Sequence, residues 1–275
     1  MCSAAFSAVI SLLNNFVIIM LDFVAKFFLS FSQEIIIIPA AVLGYIWFDR
    51  KIFFSAICLT LLSMLLNFDL KATFQIPLAT GKGFAFPSGH MQSSTVFYGW
   101  LITKIQQPIF QTLSVLVLIG IGLSLVYFGY HNFFDLAGGI FCAVLLILLY
   151  NLISTQKERF RQIIIFSFST ILLFYAAIIY QVADHLWLAY YCFIGITLSE
   201  NFFAEEVKVI SLFNKALSTF FCLIIIFVIK KLFAINEISS LPAFLNQIQW
   251  FIIGFILPYS VFAADYFIKK THNRL

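Results

Sequence analysis

Two short stretches of an otherwise apolar chain place histidines where they could do chemistry. The first is Pro87-Ser88-Gly89-His90, within FAFPSGHMQSS at residues 84–94. The second is His131 with Asp135, within SLVYFGYHNFFDLAGG at residues 124–139. A carboxylate bonded to one imidazole nitrogen sets the tautomer and leaves the other nitrogen free as a nucleophile or base. The four-residue spacing predicts that His131 and Asp135 share one helical face. Such a pair is suited to nucleophilic catalysis by histidine. PSGH predicts a helix start, with Pro87 outside it, Ser88 as N-cap and Gly89 allowing another group close to the backbone. Free N–H groups at a helix start suit a phosphate, and a first-turn histidine is placed to protonate a leaving oxygen. Lys71 and Lys82, in the segment before PSGH, would add positive charge for the same anion.

The elements that carry these residues follow from composition. The chain of 275 residues is 63% hydrophobic, 19% aromatic and 10% charged, with a mean hydropathy of +1.04. Soluble domains carry about 25% charged residues. Only a bilayer accepts so much apolar surface, so the expected fold is all-α, a polytopic integral membrane helical bundle. The net charge of +4 does not suggest nucleic-acid binding. The basic residues sit in small clusters between apolar runs, namely Arg50/Lys51, Lys157/Arg159/Arg161 and Lys269/Lys270/Arg274, as in cytoplasmic loops. Of the five cysteines, Cys58, Cys142, Cys192 and Cys222 lie in apolar runs, and no C-x-x-C pair occurs. Neither a disulfide framework nor a zinc site is expected. No cleavable leader is expected, because the N-terminus lacks a basic region before its first apolar run. Abundant Phe, Ile, Lys and Asn suggest an AT-rich bacterial source.

A spanning helix needs about 20 mostly apolar residues. The expected spans are 4–31, 34–49, 52–68, 89–105, 108–129, 131–154, 161–181, 186–203, 210–232 and 246–267, with 186–203 either spanning or re-entrant. The Lys157–Arg161 cluster divides a front block of six spans from a rear block of four. With the N-terminus cytoplasmic, most Lys and Arg fall inside, and Lys230/Lys231 are the exception. Segment 69–88, the corner at 128–131 and segment 182–186 then share the outer face, which brings both histidine motifs to one side. Of the remaining polar residues, His185 reads as a solvated loop residue within reach of a head group, and His272 as part of a basic tail. Asp22 and Lys26 read as an ion pair inside the first span.

With these residues in place, the chain resembles the type-2 phosphatidic acid phosphatase family, lipid-phosphate phosphatases related to vanadium haloperoxidases. The family pattern is K-x6-R-P, then P-S-G-H, then S-R-x5-H-x3-D. Residues 87–90 match the second motif fully, and Ser124, His131 and Asp135 match the third in spacing. Lys71 keeps the first, while its arginine and proline positions hold Leu78 and Ala79, and the third motif's arginine position holds Leu125. Both arginines that would clamp a phosphate are therefore leucines, and leucine offers none of arginine's paired hydrogen bonds.

The resemblance covers about residues 1–154 and implies a six-helix phosphatase-like membrane domain there. Residues 155–275 form a C-terminal transmembrane extension of unassigned role. It implies a membrane hydrolase that removes phosphate from a lipid phosphate or pyrophosphate. In that scheme His131 forms a phosphohistidine, Asp135 orients it and His90 protonates the leaving group. Lys71, Ser88 and Gly89 hold phosphate oxygens, with Lys82 assisting, and no metal or other cofactor is implied. The partners are the lipid substrate and the bilayer, with the site on the periplasmic face of a bacterial inner membrane. Two alternatives use the same residues: a lipid phosphotransferase, or an inactive protein that binds lipid head groups.

Overall fold

The computed structural model describes residues 2–78, 83–156, 158–180, 182, 184–203, 211–235 and 242–272. The front block contains α1 (Cys2–Ser30), α2 (Glu34–Leu43), α3 (Arg50–Phe74), α4 (Gly89–Lys104), α5 (Pro108–Tyr127) and α6 (Phe133–Ser154). A π-helical turn, Gly44–Phe48, continues α2. The rear block contains α7 (Glu158–Ile179), α8 (Asp184–Phe203), α9 (Leu212–Phe233), the short α10 (Ala243–Asn246) and α11 (Gln249–His272). Among the described residues the only β-type pairing is one isolated bridge, Pro77 with Phe84. The all-α polytopic membrane bundle is the observed architecture.

Apolar runs become helices because lipid offers the backbone no hydrogen-bond partners. Polar residues mark the ends. Asp49 caps α3 by accepting from Ile52 N–H at 2.9 Å, Pro108 opens α5, and Ser211 caps α9. Five helices are long and apolar enough to cross a membrane, and α1 with α2 forms a sixth run that passes jointly. Large apolar side chains such as Leu113 and Leu123 on α5 and Phe141 and Leu148 on α6 face outward, as lipid contact requires. Segment 186–203 is one continuous helix, α8, and does not turn back on itself.

The first two expected spans need correction. Between Asn15–Ser30 and Glu34–Phe48 the axis bends by only 45°. A two-span hairpin would reverse direction, so the two helices make one bent run. The hydroxyls of Ser30 and Ser32 bond back to the carbonyls of Phe27 (2.6 Å) and Leu29 (2.7 Å) at the break. Such back-bonding loosens the helical ladder and bends it. The expected pair of Asp22 and Lys26 forms, at 4.0 Å across one turn, but on an exposed face, and the other Asp22 oxygen accepts from Tyr127 O–H on α5.

The rear helices dock tightly on one another and on the front block. A Cβ on Gly195 of α8 would stand 2.1 Å from the Phe251 carbonyl oxygen of α11, and one on Gly254 would stand 2.3 Å from that of Cys192. Small residues thus let the two helix backbones nearly touch, the packing mode that membranes favour. Across the block boundary, the Arg50 guanidinium donates to both Glu200 oxygens at 3.1–3.2 Å, and Tyr45 O–H donates to Glu200 as well. Arg50 and Lys104 cluster at this end of the bundle; PSGH and His131 lie at the other.

Candidate active site

The end of α3 starts the site. The helix runs two turns beyond the expected span and stops where Gln75 turns left-handed at φ 52°. Lys71 therefore lies in the last turn of α3 and not in the loop. Its ammonium donates to the Phe84 carbonyl at 2.8 Å. The loop folds back on itself, with Ala85 N–H donating to Ile76 O and Leu78 N–H to Gly83 O. Phe86 stacks on Phe134 of α6 at 4.9 Å and meets Phe74 of α3 edge-on at 5.1 Å. Each such aromatic pair adds about 0.5–1.5 kcal/mol beyond its area. Together they hold the loop between the two helices.

PSGH opens α4 as its residue types predict. Ser88 is the N-cap and accepts from Met91 N–H, and Gly89 and His90 are the first helical residues. Two residues outside the motif support the turn. The amide of Asn67 donates to Pro87 O at 3.1 Å and to Gln92 Oε1 at 2.8 Å. Gln92 in turn donates to Ser63. A Cβ on Gly89 would come within 2.8 Å of Asn67 Oδ1, so Gly89 is needed for this close approach.

The second histidine motif is bonded to the first through the backbone. Ser88 N–H donates to the Asp135 carbonyl at 3.0 Å. The contact is possible because α6 presents glycines there: a Cβ on Gly139 would stand 2.8 Å from Ser88 O, and one on Gly138 would overlap the Phe86 ring. The trailing AGG of the sequence therefore seats one motif on the other.

His131 and Asp135 do meet, but not on one helical face. His131 precedes α6, whose N-cap is Asn132. Asn132 Oδ1 accepts from Asp135 N–H at 2.9 Å, and Asp135 Oδ2 accepts from Asn132 N–H at 3.1 Å. This reciprocal capping box holds the carboxylate 3.5 Å from His131 Nδ1, with both side chains buried. Burial pushes the His131 imidazole below its ordinary pKa, and the nearby Lys71 charge adds to this; Asp135 pulls the other way. The net direction favours the neutral ring, with Nδ1 toward Asp135.

Lys71, His90, Asn67 and Gly89 line one end of a cavity of about 490 Å³. His185 lines it too. It lies in the first turn of α8, packs against Phe68 at 5.5 Å and is not a loop residue. His131 stands beside this cavity but is not part of its lining. Lys82 lies outside the described residues. Leu125, in place of the third motif's arginine, is buried in the core, and its carbonyl accepts from Tyr130 and His131 N–H. Among the described residues no cluster of three or more His, Cys, Asp or Glu could hold a metal.

Two histidine motifs docked at one membrane face, with a lysine beside them, invite comparison with known families. Residues 35–159 match the PAP2 superfamily. This segment is PAP2-like. No curated protein and no solved structure matches the chain. The PAP2 segment contains every candidate site residue named from the sequence, and of the polar cavity residues Ser32, Glu34 and His185 lie beyond it. The PAP2 match supports phosphatase-type phosphoester hydrolysis in general. Asn132, Asn67 and Gln92 were not singled out in the sequence. The N-x-x-D spacing of Asn132 and Asp135 is a legible capping-box signal. Asn67 and Gln92 give no comparable signal, since their partners are distant in sequence.

Proposed function

We propose that this protein is a membrane-embedded phosphatase that cleaves the phosphate from a lipid phosphate or pyrophosphate through a phosphohistidine. The observation that carries this reading is the Ser88 N–H to Asp135 O bond, which docks the PSGH turn on the His131/Asp135 unit. Neutral His131 attacks phosphorus through Nε2, forming the N–P bond as the P–O bond to the leaving group breaks. Asp135 stabilises the charge that develops on the ring. His90 gives its proton to the leaving oxygen. Water then attacks the phosphohistidine, releasing inorganic phosphate and restoring His131, while His90 regains its proton. Lys71 and the N–H groups opening α4 hold the phosphoryl oxygens. In this reading the site faces the periplasm of a bacterial inner membrane, since Arg50, Lys104 and Arg161 lie toward the other end.

The missing arginine clamps bear on binding strength. Each charge-assisted hydrogen bond contributes about 1.5–3 kcal/mol, so two leucines in place of arginines predict a high KM. The deciding experiment is phosphate release from a panel of lipid phosphates by wild type and His131→Ala, with acid-labile label followed on the protein. Release and label that both vanish in His131→Ala support the reading. Label passing to a second lipid would instead make the protein a phosphotransferase. Binding of lipid phosphate without release or label would make it a head-group-binding protein.

A further inference from the structure

The cavity that begins at Lys71 and His90 does not end there. It continues between the blocks as a chamber whose deeper walls are almost wholly apolar. One wall is supplied by Ile38, Leu61 and Phe97 of the PAP2 segment. The facing wall is Leu188 of α8, Ile226 of α9 and Leu257 of α11, all outside that segment. Its volume, about 490 Å³, lies in the range of small-molecule sites. The chamber's few deep hydroxyls offer little to water, since Thr60 already donates to Ala56 O at 2.8 Å. Apolar chambers of this kind stay dry and favour apolar occupants.

A cation and a histidine at one end of a single cavity, with hydrocarbon-like walls beyond them, match an amphiphile with a phosphate head. We infer that the rear helices form a receptor for the substrate's hydrocarbon tail, laid between α8, α9, α11 and the PAP2 segment. This rests on the phosphatase reading of the polar end. The chamber has a strap at its side. Glu34, which lines it, accepts from Lys230 at 2.8 Å, and the Lys230 ammonium stands 5.1 Å from the Trp250 ring. The strap joins α2, α9 and α11, the elements that would part to admit a lipid from the bilayer. The extension thus selects for a long chain, and water-soluble phosphate esters are poor substrates.

The test uses a hexadecanoyl lysophosphatidic acid with a diazirine at its chain end, photolysed with the full-length protein in nanodiscs. Crosslinks are expected within 188–196 of α8 or 250–257 of α11. Leu188→Trp and, separately, Ile226→Phe should lower that labelling roughly tenfold, the scale of a lost apolar subsite. The same variants should lower kcat/KM roughly tenfold for the hexadecanoyl substrate and clearly less for a hexanoyl one. Crosslinks confined to the outward faces of α5 and α6 would overturn the inference. Equal labelling by an uncharged monoacylglycerol probe would do the same. Labelling in the chamber without phosphate release by wild type keeps the tail receptor and removes the phosphatase. Phosphate release without labelling in the chamber does the reverse.

Discussion

The two ends of the bundle each bury a carboxylate beside a positive or titratable group, and they treat it differently. At the Arg50 end, Glu200 is fully engaged. It takes a forked guanidinium and the Tyr45 hydroxyl, and the guanidinium also lies 5.3 Å from the Tyr45 ring. At the His131 end, Asp135 Oδ2 is held by a backbone N–H, while Asp135 Oδ1 and His131 Nδ1 have no hydrogen-bond partner among the described residues. Buried polar atoms without partners are costly. The Arg50 end is a seam joining two helical blocks. The His131 end leaves bonding capacity unused.

That contrast yields a graded series of tests. The largest effect is expected from His131→Ala, which should reduce phosphate release to background while the protein still extracts and unfolds like wild type. Residual turnover would return the His131 end to a structural role. Next, His90→Ala should slow release of an alkyl phosphate by roughly 10²–10⁴-fold, the range of a lost general acid. An aryl phosphate, whose leaving group needs no proton, should be far less affected. Equal losses on both substrates would remove His90 from proton transfer.

The Arg50 end should respond in stability and not in chemistry. Removing one partner of a buried pair costs about 3–5 kcal/mol, so Glu200→Ala should lower the unfolding midpoint clearly. Turnover per folded molecule should hold. The double variant Arg50→Met/Glu200→Met should recover much of the loss. A fall in turnover without a fall in stability would mean that this end is also a site.

A smaller change is expected from Asn132→Ala. Loss of an N-cap costs about 1 kcal/mol. It should also free the Asp135 carboxylate to swing from His131, lowering kcat more than it raises KM. Asn132→Asp or Asn132→Ser, which can still cap, should restore most of both, and failure to do so would reject the capping role. The mildest test is pH. A lowered His131 pKa keeps the ring neutral to a lower pH, so the acidic limb of kcat/KM should fall below 6.5, the ordinary imidazole value. A limb at or above 6.5 would contradict the burial argument.

Much of this was legible in the residues. Helix positions were readable because apolar runs of spanning length have few alternatives in lipid, and PSGH capped α4 as its residue types require. Where the reading slipped, a local rule was outvoted by a neighbour. The His131/Asp135 spacing suggested a shared helical face, but Asn132 captures the N-cap and leaves His131 outside the helix. The break at Ser30–Gln33 reads as a hairpin, yet Tyr98 O–H on Phe31 O, Tyr127 on Asp22 and Lys230 on Glu34 hold α1 and α2 as one bent run. His185 reads as loop because nothing near it in sequence shows that α8 starts one residue earlier, beside the cavity.

The sequence by itself determined the solvent and the helices and named the candidate groups, because these depend on residue type and short-range spacing. Only the tertiary structure decided that Gly138 and Gly139 seat the PSGH turn on α6, and that Asn67 and Gln92 brace it. It alone showed that helices beyond residue 159 wall the cavity at His90. Such facts depend on which distant surfaces meet at van der Waals distance, and no spacing along the chain encodes that directly.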